Sequence, residues 1–415
     1  MGKGVCFECI NDFYLKKTIK DEGKPRECSI CGGKNNNAFT VEQLAEVVGA
    51  VMGQHFIRGL PIQEIGEGEE RWGHEGDQMS SFVQNVLNQY LDFADEIVDA
   101  IIESQYDWLP EGAQPLWDKT SKYVERRSGP WPYFDEWQST LDELKHSRRF
   151  FSPAAQTLFG KLFEGVEDLR GWNGKKFQPV VRGLPTGTKL FRARICKSQS
   201  MLRDIISSPF KHVGPPPKEY ARAGRMNPEG VTVFYGSREL DTCFAEMRPA
   251  LGNDVAIITL RTTKPLRVLD FSRLEQTRGG GALSYFQPDF TEQVNKQEFL
   301  HHIHRLISQH VIPGRESDYL ITQTMSEYLA HVHHKPFDGI LFDSTQRENG
   351  TNVVLFPQAN WFTSSLEEIF RVAYVPRSIK LLTTTSIKYE HQESEVESRI
   401  TENDTFEMFD DEIPF

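Results

Sequence analysis

Apolar residues recur at helical spacing through the first 175 positions, and in short strand-like runs after that. The clearest helical stripe is Val86, Leu87, Tyr90, Leu91, Ala94, Ile97, Val98 and Ile101, with Asn88, Asp92, Asp95, Glu96 and Asp99 on the opposite face. This pattern predicts one amphipathic helix. Thr40 is placed to cap another over VEQLAEVVGAVMGQHF. A third is predicted over Tyr133 to Lys145. A fourth runs from Phe150 to Phe163, opening at Ser152-Pro153 with the proline in the first turn. Asp107 to Pro132, rich in Pro, Gly and Trp, reads as an irregular connection.

From about 176 to 385 the texture changes. The runs KLFRARI, VTVFYG, VAIITL, LRVLDF, GILFDS and NVVLF predict strands. Helical segments lie between them at Arg238–Arg248, Gln297–Gln309 and Tyr319–His331. The alternation has no regular βαβ rhythm, so the expected class is α+β rather than a doubly wound sheet. No strand is followed by GxGxxG, and Gly279-Gly280-Gly281 reads as a loop. Glu390 to Phe415 holds ten acidic residues and one arginine, the composition of a disordered acidic tail.

Cysteine spacing adds a module at the start. Cys6-x2-Cys9 and Cys28-x2-Cys31 are separated by eighteen residues. Two such pairs can surround one Zn²⁺ with four thiolates, which leaves no open position and so makes the zinc structural. Cys196 and Cys243 stand alone in apolar surroundings and read as small buried hydrophobes. The expected organisation is a zinc ribbon over 1–36, an all-α domain over 37–175, a mixed α+β domain over 176–385 and a tail over 386–415.

Charge then removes some functions. The 415-residue chain has a net charge of −12 and no basic run interleaved with aromatics, which argues against nucleic acid as a partner. No apolar run approaches the ~20 residues of a membrane span, and no signal-peptide core opens the chain. A cytoplasmic location is the expectation.

Candidate chemistry concentrates between Leu190 and Phe356. Arg192 and Arg194 alternate on a predicted strand. Arg225 sits in the glycine-flanked turn AGRMNPEG, and Tyr235 closes the next strand. Ser237 is placed to cap the following helix, whose stripe is Leu240, Cys243, Phe244 and Met247. Glu246 falls at the margin of that stripe, where a carboxylate can project into a cleft. Ser344 lies just beyond a strand, before a polar turn. Two histidine groups, His301/His302/His304 and His331/His333/His334, show no zincin-like spacing, so no second metal site is expected.

The strings LFRAR, GRMNPEG–VFYGS–CFAEM and FDGILFDS–GTNVVLF, in this order, resemble the RES family. The resemblance implies an ADP-ribosyltransferase-like fold and a toxin that depletes NAD with phosphate or water as acceptor. In several members the toxin is paired with an antitoxin. It nominates Arg192, Arg225, Tyr235, Glu246 and Ser344 as site residues. A tyrosine that follows the first arginine in some relatives is Ala193 here. The N-terminal half is similar to a HEPN-like extension. It lacks the Arg-x4–6-His pair of ribonucleases of that kind, so a regulatory or oligomerising platform is expected there, with a homo-oligomer as one form.

The side chains suit the implied chemistry. Nicotinamide leaves NAD from an already cationic ring, so no general acid is required and a single carboxylate, Glu246, can stabilise the oxocarbenium-like transition state. This differs from the carboxylate pair of ordinary glycoside hydrolysis. Arg192 and Arg225 can fork onto phosphate oxygens, and an arginine could also hold an attacking inorganic phosphate. Tyr235 offers an aromatic wall with a polar tip. Ser344 is cast as a hydrogen-bonding group and not a nucleophile, since the sequence sets no base beside it. Two other readings stand against NAD cleavage: transfer of ADP-ribose to a protein, and a catalytically inactive zinc-ribbon regulator.

Overall fold

A computed structural model describes residues 4–66, 69–105, 115–126, 129–277, 283–308, 319–358 and 364–387. The acidic tail and the Gly279–Gly281 run lie outside the described residues. Helices and several sheets mix in the α+β manner the sequence predicts.

At the N-terminus, β1 (Gly4–Cys6), α1 (Phe13–Glu22), β2 (Lys24–Pro25) and β3 (Asn37–Thr40) form a three-stranded sheet with one helix, β3 in the middle. The central strand therefore lies beyond residue 36, where the sequence reading ended the module. Val5, Ile10, Leu15 and Ile19 are buried in one core with Leu44, Val48 and Met52 of α2 (Val41–His55). Below ~40 residues a chain rarely builds a core of its own. This one borrows its core from α2, so the cysteine module is clipped onto the helices that follow. Thr40 caps α2 in a full capping box with Gln43, as its position predicts.

The region after α2 is not all helical. β4 (Phe56–Arg58) leads into the hairpin β5 (Pro61–Gly66) and β6 (Glu69–His74), and then into β7 (Asp77–Gln78). The long predicted helix is two helices, α3 (Met79–Leu87) and α4 (Ala94–Gln105). Asn88 ends α3 in the left-handed region at φ 49°, a conformation asparagine adopts more readily than most residues. The apolar period runs on across the break because Leu91 and Ala94 still face the same core. Tyr90, assigned to the stripe, is 74% exposed instead. β8 (Lys122–Glu125) then pairs with β4 and β7, a strand hidden in what reads as an irregular connection.

Next come α5 (Trp131–His146) and α6 (Pro153–Phe163), close to their predicted bounds, with Ser152 capping α6 through its side chain. Both pack away from α2–α4. Trp137, Leu158, Phe159 and Phe163 share a core with the C-terminal half. The sequence reading grouped these helices with residues 37–175, because amphipathicity shows that a face is buried and not what covers it.

β9 (Arg170–Trp172) and β10 (Phe177–Pro179) form a hairpin that precedes the main sheet. The elements that follow are β11 (Val181–Leu184), β12 (Lys189–Cys196), α7 (Gln199–Ser207), α8 (Pro209–Val213), β13 (Phe234–Ser237), α9 (Leu240–Glu246), β14 (Asp254–Thr262), β15 (Leu266–Asp270) and α10 (Phe271–Glu275). After them come α11 (Phe290–Ser308), α12 (Leu320–Glu327), β16 (Gly339–Asp343), β17 (Thr351–Leu355), α13 (Leu366–Ile369), β18 (Val372–Tyr374) and β19 (Lys380–Thr383). The sheet has nine strands in the order β11-β15-β16-β17-β13-β12-β14-β18, and β19 also pairs with β14.

Within this sheet β15 and β16 are the parallel pair. A parallel pair needs a long crossover, and α10, α11 and α12 supply it. The crossover lays α11 over one face, where Phe299, Leu300 and Ile303 bury against Leu269, Ile340 and Val354. The other face is covered by Ile205 and Val213 of the α7–α8 region and by Ile369 and Phe370.

Phe299 joins the two halves of this core. It is fully buried, and its ring lies 5.7, 5.1 and 5.5 Å from those of Tyr133, Phe134 and Trp137. Phe299→Ala should destabilise the protein by roughly 3–5 kcal/mol, read as a lower denaturation midpoint. An unchanged midpoint would show that α5 is not fixed to α11.

Candidate active site and cysteine centre

The turn bearing Arg225 is built from its own sequence. Asn227, buried, donates through Nδ2 to the carbonyls of Arg222 (2.9 Å) and Val231 (2.7 Å), closing the loop on itself. The Tyr235 hydroxyl donates to Asn227 Oδ1 and accepts from the Met226 amide, both at 3.0 Å. Gly224 is required by this approach, since a Cβ there would lie 2.8 Å from both the Tyr235 hydroxyl and Asn227 Oδ1. From α12, Thr322 Oγ1 donates to the Arg225 carbonyl and Gln323 Nε2 to that of Gly224. Arg225 itself donates through Nη1 to the Ile307 carbonyl at the end of α11. Its Nε is buried with no partner among the described residues, a costly arrangement that packing alone does not call for. Burial holds this guanidinium below its usual range.

Arg192 occupies a different kind of place. β12 and β13 share a single register pair, Phe191↔Ser237, and then diverge. Arg192 spans the opening, donating through Nε to the Val213 carbonyl (2.8 Å) and through Nη1 to that of Tyr235. Burial lowers its pKa to about 10, so it stays cationic at neutral pH. The sequence reading casts it as a phosphate binder; here two of its N–H donors also brace the cleft. Arg194, on the same side of the strand, reaches the His212 carbonyl.

Glu246 is the last residue of α9 and is exposed. Its Oε1 accepts from Ser344 Oγ at 2.5 Å and from Asn352 Nδ2 at 2.7 Å. Asn352 Oδ1 accepts in turn from Ser237 Oγ at 2.9 Å. Two sequence-based expectations are corrected here. Ser237 does not cap α9: it is buried at the end of β13, and Glu239 takes the cap position, its carboxylate accepting from the Thr351 amide. Ser344 does have a carboxylate beside it, because the fold returns to α9 after 98 residues. Asn352 was missed altogether. Its signal is a polar residue in the otherwise apolar run NVVLF, which becomes meaningful only once the register sets it opposite Ser237.

His304 holds the neighbouring strand end. Its Nδ1 lies 2.7 Å from Glu275 Oε2, and its Nε2 accepts from the Asp343 amide at 3.3 Å. His333 and His334 group with Glu167, which also binds Arg267 at 2.9 Å. Glu275, His304 and Asp343, like Glu167, His333 and His334, bring possible ligand atoms within 4.8 Å of one another, a grouping that the histidine spacing in the sequence does not show.

These residues meet at a cavity of about 560 Å³ whose lining includes Arg192, Arg225, Tyr235, Glu246 and Asn352. Ser344 reaches it through Glu246. Burial pushes the Tyr235 phenol and the Cys243 thiol, which also lines the cavity, up to about 12 each. Both are therefore neutral at physiological pH, and Cys243 is the inert apolar group that its surroundings predict. The volume suits a substrate the size of a nucleotide fragment.

At the N-terminus, Cys6, Cys9, Cys28 and Cys31 place their sulfurs within 4.8 Å of one another, close enough to hold a metal ion. Burial opposes ionisation of Cys28, but backbone N–H groups of Cys31, Cys6 and Ile30 outweigh it and bring the thiol down to about 6. Such an N–H cage favours thiolate at Cys28, whereas burial pushes the Cys6 and Cys9 thiols up, so a metal ion would displace their protons on binding.

Fold and site together define an α+β protein whose main sheet opens around an arginine-lined cleft containing one hydrogen-bonded carboxylate. The model of the RES domain family matches residues 189–374, and this stretch of the chain is a RES domain. The match runs from the first residue of β12 to the last of β18 and takes in all five nominated residues together with Asn352. No curated protein and no solved structure matches the chain. Among the described residues, no helix is long and apolar enough to cross a membrane.

If the four cysteines hold one metal ion, the purified protein should contain one equivalent of zinc by elemental analysis. Cys28→Ser should lose it together with several degrees of melting temperature. Full stability in a metal-free preparation would refute a structural metal.

Proposed function

We propose that the RES domain cleaves the nicotinamide–ribose bond of NAD, with phosphate or water as acceptor, and that it acts as a toxin or defence effector. The observation that carries this reading is the Glu246 carboxylate, fixed by Ser344 and Asn352 at a cavity lined by cationic side chains. A positioned carboxylate can stabilise the positive charge that develops on the ribose as nicotinamide departs. Both donors meet Oε1 and so orient the carboxylate within the cleft.

The remaining residues serve that carboxylate and the substrate. Arg225 offers a guanidinium for a phosphate group. Tyr235 holds the Arg225 turn and contributes its ring to the wall. Ser344 orients Glu246. Ala193 lines the cavity without an aromatic ring, and Tyr235 supplies one nearby. In this reading zinc fills the four-cysteine site as a structural ion and takes no part in the reaction. The helices before the RES domain are a platform for regulation, for an antitoxin or for a second copy of the chain, and the protein works in the cytoplasm.

The test is incubation with NAD, with and without phosphate, followed by mass spectrometry. Nicotinamide with ADP-ribose-1″-phosphate identifies phosphorolysis, and nicotinamide with ADP-ribose identifies hydrolysis. A labelled protein would mean a transferase. Intact NAD under all these conditions would refute the proposal. Glu246→Gln should lower the rate at least roughly 10²-fold, the scale of losing one electrostatic contact in a preorganised site, with an unchanged melting temperature. Asn352→Ala should reduce kcat toward roughly 10²-fold, as expected for a displaced catalytic group, and leave KM near its original value. A change in KM alone would place Asn352 on substrate and not on Glu246.

A further inference from the structure

Arg248 has a backbone conformation that its sequence opposes twice. It lies at φ 43°, in the left-handed region that costs a side-chain-bearing residue free energy. It also precedes Pro249, and a residue before proline is driven toward extended conformations. The amide of Arg248 turns back to the Ala245 carbonyl and ends α9 immediately after Glu246. Glycine is the usual residue for such a helix end. The side chain kept there instead lines the same cavity as Glu246 and Arg225. A strained position that persists beside a site points to a use for its side chain.

Charge indicates what that use is. The cavity lining carries three guanidiniums, those of Arg192, Arg225 and Arg248, against the single carboxylate of Glu246. Arg192 has two donors committed to carbonyls, and Arg225 has one committed to Ile307. Arg248 and Arg225 line the same cavity, and Arg225, whose basicity burial lowers, is acted on there by Glu246 and in the opposite sense by Arg248. Three guanidiniums against one carboxylate leave the cleft an excess of positive charge, which attracts an anion.

We propose that Arg248 is a substrate-binding residue that closes, with Arg225, on a phosphoryl oxyanion. The oxyanion belongs either to the diphosphate of a dinucleotide or to an inorganic phosphate acceptor. The dinucleotide source rests on the NAD reading above; the oxyanion clamp itself does not. The left-handed turn directs Arg248 at the cleft from the residue pair next to the carboxylate, so charge stabilisation and phosphate binding are set by one helix end.

Isothermal titration of the full-length protein separates the sources. ADP-ribose, pyrophosphate and inorganic phosphate are titrated into wild type, Arg248→Gly and Arg248→Asn. Glycine and asparagine both accept the left-handed backbone, so melting temperatures should stay level or rise. At least a tenfold weaker affinity for ADP-ribose in both variants, with phosphate affinity unchanged, assigns the diphosphate. The same loss confined to phosphate assigns the acceptor. Binding of pyrophosphate that depends on Arg248, in a protein that ignores ADP-ribose and leaves NAD intact, keeps the clamp and removes the NAD reading. Wild-type affinity for all three anions in both variants overturns the proposal. So does a lower melting temperature with unchanged affinity, which would make Arg248 a helix-end residue only.

Discussion

The site depends on the parting of two neighbouring strands. β12 and β13 meet at Phe191↔Ser237 and then separate, while each remains paired on its far side to β14 and β17. A sheet that lost these backbone bonds without replacement would leave polar groups unpaired in its interior. Arg192 supplies one replacement by donating to the Tyr235 carbonyl across the gap, and its guanidinium carbon lies 5.7 Å from the centre of the Phe234 ring. The opening is thereby kept as a cleft rather than collapsing into continued pairing. Everything the cleft contains follows from where the chain leaves it. α9 begins three residues after β13 ends and carries Glu246 to the rim, and the Arg225 turn precedes β13.

Around this opening the polar side chains form one connected set. Ser237, Asn352, Glu246 and Ser344 join end to end, and the Gln346 amide donates to Ser344 at 3.1 Å. A second set, Tyr235 with Asn227, fixes the turn of Arg225. The sets lie on different loops but share β13, where Tyr235 and Ser237 alternate onto the same face. Buried polar networks are useful when each member is satisfied. Here the buried members Ser237, Asn227 and Asn352 are satisfied, while the carboxylate end of the chain is exposed. The network is rigid where it is anchored in the sheet and open where it meets substrate.

This division explains what could be read from sequence. Helix ends with a local signal were legible: Thr40 and Ser152 cap as predicted, because a capping hydrogen bond spans only three residues. The strands of the site were legible as apolar runs, and four of the five nominated residues line one cavity. What escaped was anything decided by partners distant in sequence. Asn88 interrupts a continuous apolar stripe through a backbone angle, which periodicity does not register. Ser237 has the composition of a cap but faces Asn352 across 115 residues. Ser344 lacks a local base and acquires Glu246 from another element. Short strands such as β8 and β18 carry too few residues to show an alternation.

α11 is 19 residues long, and its two ends serve different parts of the molecule. At its start, Phe290 packs against His55 of α2 at 4.9 Å and Tyr285 at 4.4 Å, and the Tyr285 hydroxyl donates to Glu125 of β8 at 2.9 Å. At its end, the Ile307 carbonyl accepts from Arg225. A helix transmits displacement along its axis better than a loop does, because its backbone bonds resist compression. α2 therefore meets the start of the helix whose end accepts from Arg225, and β8 is tied to the segment just before that helix. A substitution in the aromatic contact of His55, Tyr285 and Phe290 is for this reason not a remote one. The N-terminal half thus packs, through His55, against the start of the helix whose end holds Arg225.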